Sequence, residues 1–272
     1  MRISLLLICL LLQPLLADEK SKDLATAKLL TYNVLADPVH QESRLPAIFA
    51  ILEKSDADII ALQEVAPWFL IELGKQEWLK KYHGPMADGK LVAPRGLLIL
   101  SKAPIQKVTA ELLTTRQHRA LLVVETEIKN IKTAVATCHL ESPLEASRTR
   151  AIQIDEFFKV LDQAEHSLFL GDFNFGDGEE PETSMLIPKF VDAWPHTNGK
   201  EAGYTWNMEK NEMAKSGSFP NEKSRRLDRI FIRSKHLTPS RTEIIGNQEI
   251  EKTKGLYPSD HFGLLGTVKV SK

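Results

Sequence analysis

Apolar and polar positions along this chain change period several times, and each change marks an element. Lys28 to Val34 carries a short apolar run that reads as a first strand. From Glu42 to Glu53 the residues Leu45, Ile48, Phe49 and Leu52 recur three and four apart, which is one face of a helix. Asp58 to Leu62 is a second strand, apolar on consecutive positions and therefore buried. Four further runs, 96–100, 107–113, 120–128 and 131–139, have strand character, with Lys129-Asn130 as a two-residue hairpin turn. Ser142-Pro143-Leu144-Glu145 predicts a helix start: serine as N-cap, proline as first helical residue, glutamate closing a capping box. That helix runs to about Gln163 with Ile152, Phe157, Val160 and Leu161 inward. Leu168 to Leu170 is a short buried strand that breaks at Gly171, and an acidic loop follows from Gly176 to Glu182. Thr183 to Trp194 gives a short helix and its exit, 226–232 is a strand, and 264–270 is the last one. Strand–helix–strand blocks around antiparallel runs predict an α/β fold. No Gly/Ser linker, Pro-rich stretch or repeat divides the 272 residues, so one domain is expected over 28–272.

The first residues stand apart. Met1-Arg2 is a short positive start, Ile3 to Leu12 is almost continuously apolar, and Leu15-Leu16-Ala17 precedes the charged Asp18-Glu19-Lys20. This is the layout of a signal peptide over 1–17, with 18–27 as a linker, and it predicts a secreted or periplasmic protein. The run falls short of the roughly 20 apolar residues that span a bilayer. Cleavage after Ala17 removes Cys9 and leaves Cys138, which reads as a small buried hydrophobe rather than a nucleophile.

Composition narrows the class slightly. The formal charge is −1, or −2 once Arg2 is removed, which does not suit a strongly basic binder of long nucleic acid. Locally, Lys223, Arg225, Arg226, Arg229, Arg233 and Lys235 form one basic group, and Arg116, His118 and Arg119 a second; both read as solvated faces.

The candidate chemistry lies at strand ends, where open α/β sheets bind ligands. Asn33 closes the first strand and Glu64 the second; His139 ends the fourth antiparallel run, at a junction facing a helix N-terminus where anions bind. Asp172 and Asn174, two residues apart, follow Gly171 and can address one atom. Asp228 is a carboxylate inside an apolar strand and needs a partner. Asp260-His261 precedes the last strand, and Trp206 sits in an aromatic patch with equal claims to packing and to gripping a substrate. Oxygen-rich ligation with few nitrogens suits Mg²⁺ or Mn²⁺ rather than zinc. There is no Cys-x-x-Cys or His-x-x-x-His pair, no glycine-rich phosphate loop and no G-x-S-x-G elbow.

Six short motifs occur in one order: Tyr32-Asn33-Val34, Leu62-Gln63-Glu64-Val65, Cys138-His139-Leu140, Gly171-Asp172-Phe173-Asn174, Arg226-Leu227-Asp228-Arg229-Ile230 and Ser259-Asp260-His261. The set resembles the endonuclease/exonuclease/phosphatase superfamily, the metal-dependent phosphoesterases related to DNase I, over about residues 28–270. His139-Leu140-Glu141-Ser142, Tyr204-Thr205-Trp206 and 258–264 look like its tyrosyl-DNA phosphodiesterase 2 branch, and Tyr32-Asn33-Val34-Leu35-Ala36 like its deadenylase branch. The resemblance implies a four-layer α/β/β/α sandwich of two mixed sheets. It also implies roles: Glu64 on a catalytic Mg²⁺ with Asn33 and Asp260 nearby, Asp172 and Asn174 on the attacking water, His261 oriented by Asp228, and His139 on phosphate. Arg119, Ser142 and Trp206 become substrate contacts. The branch's arginine after Gly-Asp-x-Asn is missing, and Asp177 is expected to repel phosphate there. Three activities follow: an exported phosphodiesterase or nuclease on nucleic acid or nucleotide fragments, a phosphatase or sphingomyelinase-like enzyme on small or lipid phosphoesters, and a non-catalytic binder. The intact constellation argues against the last.

Overall fold

The computed structural model describes residues 25–251 and 253–271, so the expected leader, Cys9 and positions 18–24 of the linker lie outside the described residues. In chain order the strands are β1 (Thr26–Asn33), β2 (Ile59–Gln63), β3 (Met86–Ala87), β4 (Lys90–Leu91), β5 (Leu98–Ser101), β6 (Lys107–Leu112), β7 (Ala120–Ile128), β8 (Ile131–His139), β9 (Ser167–Asp172), β10 (Val191–Asp192), β11 (Asp228–Arg233), β12 (Leu237–Ile245) and β13 (Gly263–Val270). The helices are α1 (Gln41–Ser55), α2 (Pro67–Leu73), α3 (Ser147–Leu161), α4 (Glu182–Leu186), α5 (Ala193–Asn198) and α6 (Glu212–Gly217).

Two mixed sheets carry the molecule. One has the order β12-β13-β1-β2-β5, the other β10-β11-β9-β8-β7-β6. Each contains one parallel pair, β1 with β2 and β8 with β9, and each pair is joined by a helix, α1 or α3. The period-2 alternation of strands sorts the side chains into layers. Leu29, Ile59 and Ile99 from the first sheet meet Leu122, Leu168, Leu170 and Ile230 from the second in a shared core. Their neighbours point the other way: Leu30, Tyr32 and Leu62 pack on Ile48, Leu52 and Phe69 of α1 and α2. On the far side Val123, Phe169 and Phe231 pack on Ile154, Phe157 and Leu161 of α3. The expected α/β/β/α sandwich is what forms.

Local readings fared unevenly. The hairpin turn at Lys129-Asn130 forms, with φ of 50° and 70°, as a turn of this kind requires. The capping box does not. α3 begins at Ser147 after a separate 3₁₀ turn at Leu144–Ala146, and Ser142 does not cap a helix. Ile152 lies 42% exposed; the inward face is carried instead by Arg150, Gln153, Ile154, Phe157, Phe158 and Leu161. The first strand begins at Thr26, inside the expected linker. Strand β12 gave no sequence signal because Pro239 interrupts it and its register shifts between Pro239 and Arg241, a bulge that an edge strand tolerates.

Candidate active site

The ends of both parallel pairs converge at one edge of the sandwich. In the second sheet His139, Asp172 and Asp228 are register partners across β8, β9 and β11, so three polar side chains form a row at one level. The row is tight because β8 and β9 touch at Gly171, where a Cβ would lie 2.4 Å from the Cys138 carbonyl oxygen. In the first sheet Asn33 and Gln63 are register partners, and the chain turns through φ 59° at Glu64 to bring its carboxylate forward. Beneath the site Gln63 Nε2 donates to Thr137 Oγ1 at 2.9 Å, bridging the two sheets inside the core.

A cleft of about 540 Å³ opens there, lined among others by Glu64, Arg119, His139, Ser142, Asp172, Asn174, Trp206, Asp260 and His261. Asn33 is fully buried and spans the two sheets: its Nδ2 donates to Glu64 Oε1 and to Asp172 Oδ2, 3.0 Å each, while its Oδ1 accepts the Leu35 N–H. Glu64 Oε2 accepts the Ala36 N–H at 2.9 Å. Asp172 Oδ1 accepts the Asn174 N–H at 3.0 Å, and Asn174 Nδ2 donates to the Leu140 carbonyl. Thus Asn174 serves Asp172 through its backbone N–H, while its side-chain amide is anchored on Leu140.

Two imidazoles flank Asp172. His139 Nε2 lies 3.4 Å and His261 Nε2 3.6 Å from Asp172 Oδ2. Behind His261, Asp228 Oδ2 is 2.8 Å from Nδ1; a carboxylate only accepts, so Nδ1 carries the proton. Asp228 is the buried carboxylate that lacked a partner in the sequence, and His261 is that partner. Burial pushes the Asp228 carboxyl up to about 6, against the pull of His261. Burial works to lower His261, but Asp228 and Asp172 outweigh it and hold the imidazole well above its ordinary range. The other histidine goes the opposite way: burial, then the Arg119 guanidinium, brings His139 down to about 4. One imidazole is held charged and the other neutral.

The metal question turns on the carboxylates at the mouth. Burial and then Glu64 raise the Asp260 carboxyl, opposed mainly by His261, so the two carboxylates feel one another across the mouth. Glu64 keeps a lowered carboxyl despite burial because His139, the Ala36 N–H and Asn33 favour its charge. An oxygen pair of this kind fits a hard divalent ion. Asp172, Asp228 and His261 also present ligand atoms within 4.8 Å of one another. There, however, His261 Nδ1 and Asp228 Oδ2 are already hydrogen-bonded to each other, so those two atoms are engaged.

Among the substrate candidates, Arg119 Nη2 donates to Ser142 Oγ at 2.6 Å and to Gln117 Oε1 at 3.1 Å, and Gln117 Oε1 also accepts the Ser142 N–H at 2.8 Å. Ser142 therefore seats Arg119 at the cleft wall. Trp206 lies 4.9 Å from the His261 ring, tilted 54°, so it both packs and lines the cleft. Sequence reading missed Arg95, Gln117, Phe219 and Glu222, which reach the cleft on loops that carry no periodic signal. It also missed Thr205, whose hydroxyl accepts the Leu227 and Asp228 N–H groups at 3.0 Å each.

The first basic group divides: Lys223 and Lys235 are exposed as expected, but its arginines are not a solvated face. Arg225, Arg226 and Arg229 are largely buried; Arg226 and Arg229 pair with Asp177 and Asp192, and Arg225 with Glu179 and Glu222. This overturns the expected repulsion at Asp177 as well, since Asp177 faces those two guanidiniums and does not line the cleft. Cys138 is buried, and burial pushes its thiol well up, which suits a small hydrophobe.

With this geometry in view, comparison with known proteins defines the class. The model of the endonuclease/exonuclease/phosphatase family matches residues 30–261, and the chain belongs to that family. It is a metal-dependent phosphoric ester hydrolase. Within the family it sits with the tyrosyl-DNA phosphodiesterase 2 branch. Tyrosyl-DNA phosphodiesterase 2 of Rattus norvegicus is 28% identical over 259 residues, 92% of this chain and 68% of that protein. The Homo sapiens protein is 26% identical over 260 residues, 91% of this chain and 69% of its own. The crystal structure of the D. rerio enzyme complexed with single-strand DNA product superposes with a TM-score of 0.75 at 25% identity, covering 90% of this chain and 100% of that one. Staphylococcus aureus beta toxin shares the fold, with a TM-score of 0.66 at 18% identity over 88% of this chain and 99% of its own.

Proposed function

We propose that this protein is an exported Mg²⁺-dependent phosphodiesterase or nuclease that hydrolyses phosphodiester bonds of nucleic acid or nucleotide fragments by attack of an activated water. The observation that carries the reading is the buried Asp228–His261 pair aimed at Asp172 in a cleft whose mouth holds Glu64 and Asp260. Glu64 and Asp260 would hold Mg²⁺ or Mn²⁺, which would supply charge neutralisation for the phosphate oxygens. Asn33 keeps Glu64 and Asp172 in fixed relation through its two donated hydrogen bonds. Asp172 orients the attacking water and takes its proton, with Asn174 holding the carboxylate in place. His261, protonated and oriented by Asp228, neutralises charge that develops on phosphate, a preorganised donor of the kind that lowers such barriers. His139, neutral, donates to a phosphate oxygen. Arg119 seated by Ser142 holds a further phosphate oxygen, and Trp206 offers a face to a base or an aryl leaving group.

The relatives' name supplies one leaving group to try, tyrosine on DNA. The test incubates the protein with Mg²⁺ or EDTA against a tyrosyl oligonucleotide, a single-stranded oligonucleotide, plasmid, bis-p-nitrophenyl phosphate and sphingomyelin. Mg²⁺-dependent cleavage of the nucleotide substrates is expected. Turnover of sphingomyelin alone would move the assignment to lipid phosphoesters, and equal rates in EDTA would remove the cation from the mechanism. Export rests on the Met1–Ala17 pattern; N-terminal sequencing of protein recovered outside the cytoplasm should begin at Asp18.

A further inference from the structure

Arg44 is the fourth residue of α1 and is 1% exposed, yet it touches no carboxylate. All five of its N–H donors end on main-chain carbonyls. Nε donates to Pro258 (2.9 Å), Nη1 to Asp37 (2.8 Å) and Val39 (2.9 Å), and Nη2 to Val34 (2.7 Å) and Leu35 (3.0 Å). A guanidinium has five donors, so none is left over. The other parallel pair offers a control in the same molecule. Arg150 is the fourth residue of α3, equally buried, and clamps the carbonyls of Glu141, Pro143 and Leu144, but its Nε is paired with buried Glu182 at 2.6 Å.

What Arg44 joins is specific. The loop over 34–39 leaves Asn33 and contains the Ala36 N–H that holds Glu64. Pro258 precedes Ser259, whose hydroxyl bonds the Asn33 carbonyl at 2.7 Å and lies 3.1 Å from Asp260 Oδ1. We propose that Arg44 is the positioning residue of the cation site, tying the Glu64 loop to the Asp260 loop so that the two carboxylates are spaced before a divalent ion arrives. The inference rests on reading Glu64 and Asp260 as the cation's ligands. Lysine has three donors on one nitrogen and cannot hold five carbonyls spread over both loops.

The test measures the Mn²⁺ dissociation constant of the full chain by electron paramagnetic resonance, together with the melting temperature, for wild type, Arg44→Lys, Arg150→Lys and Glu64→Gln. Arg44→Lys should weaken Mn²⁺ binding by about 10–100-fold, the range found for groups that orient metal ligands. Arg150→Lys should lower the melting temperature while leaving Mn²⁺ affinity within about twofold. Wild-type affinity in Arg44→Lys, or an equal loss in Arg150→Lys, overturns the proposal. Unchanged binding in Glu64→Gln overturns the cation-site reading beneath it instead. If Arg44→Lys lacks native near-ultraviolet circular dichroism, Arg44→Gln is measured in its place. Failure of both to fold also overturns the proposal, because the arginine is then a folding element alone.

Discussion

The two units β1–α1–β2 and β8–α3–β9 bring their strand ends to opposite walls of one cleft, but they manage charge differently. On the first wall Glu64 keeps 26% of its side chain exposed, and with Asp260 it forms an acidic mouth. On the second, Asp172 is 1% exposed and lies within 3.6 Å of two imidazoles. A buried carboxylate is tolerated where hydrogen bonds and a positive partner surround it. Asp172 meets that condition with His139 from its own sheet and with Asn33 and His261 carried by the first sheet. At the first wall Glu64 is satisfied by Asn33 and the Ala36 N–H, whereas the Asp260 carboxyl is raised, and on the proposed reading a cation would balance it. On that reading, one wall handles protons and the other handles an ion.

Four measurements can break or sharpen that division. The largest effect should come from Asp172→Asn, which removes the base and leaves the mouth intact: kcat should fall by about 10²–10⁴ while Mn²⁺ binding and the melting temperature stay near wild type. If ion binding fell in step with kcat, the two walls would not be separate. Next comes stability against pH in EDTA. His139 is held at about 4 in the fold against an ordinary 6.5, so the unfolded chain takes the proton first as pH falls. The His139 contribution to stability should decline from pH ~6.5 down to ~4. It is read by urea unfolding as the difference between wild type and His139→Asn, because the raised Asp228 carboxyl favours the fold as pH falls through the same window. That difference should shrink from pH ~6.5 to ~4, and a difference independent of pH would free His139 from the buried, neutral state described above.

A smaller effect belongs to the ion. At a hundred times its dissociation constant, Mg²⁺ should stabilise the fold by about 2.7 kcal/mol, a rise of roughly 5–10 °C for a chain of this size. Calorimetry on Glu64→Gln should show that rise vanish; a persisting rise would move the ion off the first wall. The smallest change is Ser142→Ala, which removes the 2.6 Å bond seating Arg119. It should weaken substrate binding by about 0.5–1.5 kcal/mol, seen as a higher KM more than a lower kcat. A loss confined to kcat would place Arg119 in the chemistry itself.

Much of the sandwich was legible because buried parallel strands read as continuous apolar runs, and polar residues at their ends stand out against them. Glu64, Asp172 and Asp228 were visible on that ground alone. Residues on loops were not: Gln117 and Phe219 reach the cleft through tertiary folding, and nothing in their neighbours announces it. The arginines misled for a different reason. A run such as Ser224-Arg225-Arg226-Leu227-Asp228-Arg229 looks solvated, but acidic partners at Asp177, Glu179 and Asp192, distant in sequence, allow the guanidiniums to be buried. The failed capping box at Ser142 is similar, since Gln117 and Arg119 supply that serine with partners other than a helix end. Local rules lose wherever a residue remote along the chain offers a better bond.

Cys138 has a practical consequence. Its sulfur lies against the seam where β8 meets β9, 4.0 Å from the Asp172 carbonyl oxygen, and solvent does not touch it. Cys138 packs in the apolar layer between the second sheet and α3, so a thiol reagent reaches it only when that layer opens. The rate at which Cys138 becomes labelled, followed by peptide mass spectrometry as urea is raised, therefore times the opening of the layer behind His139 and Asp172 with no introduced probe.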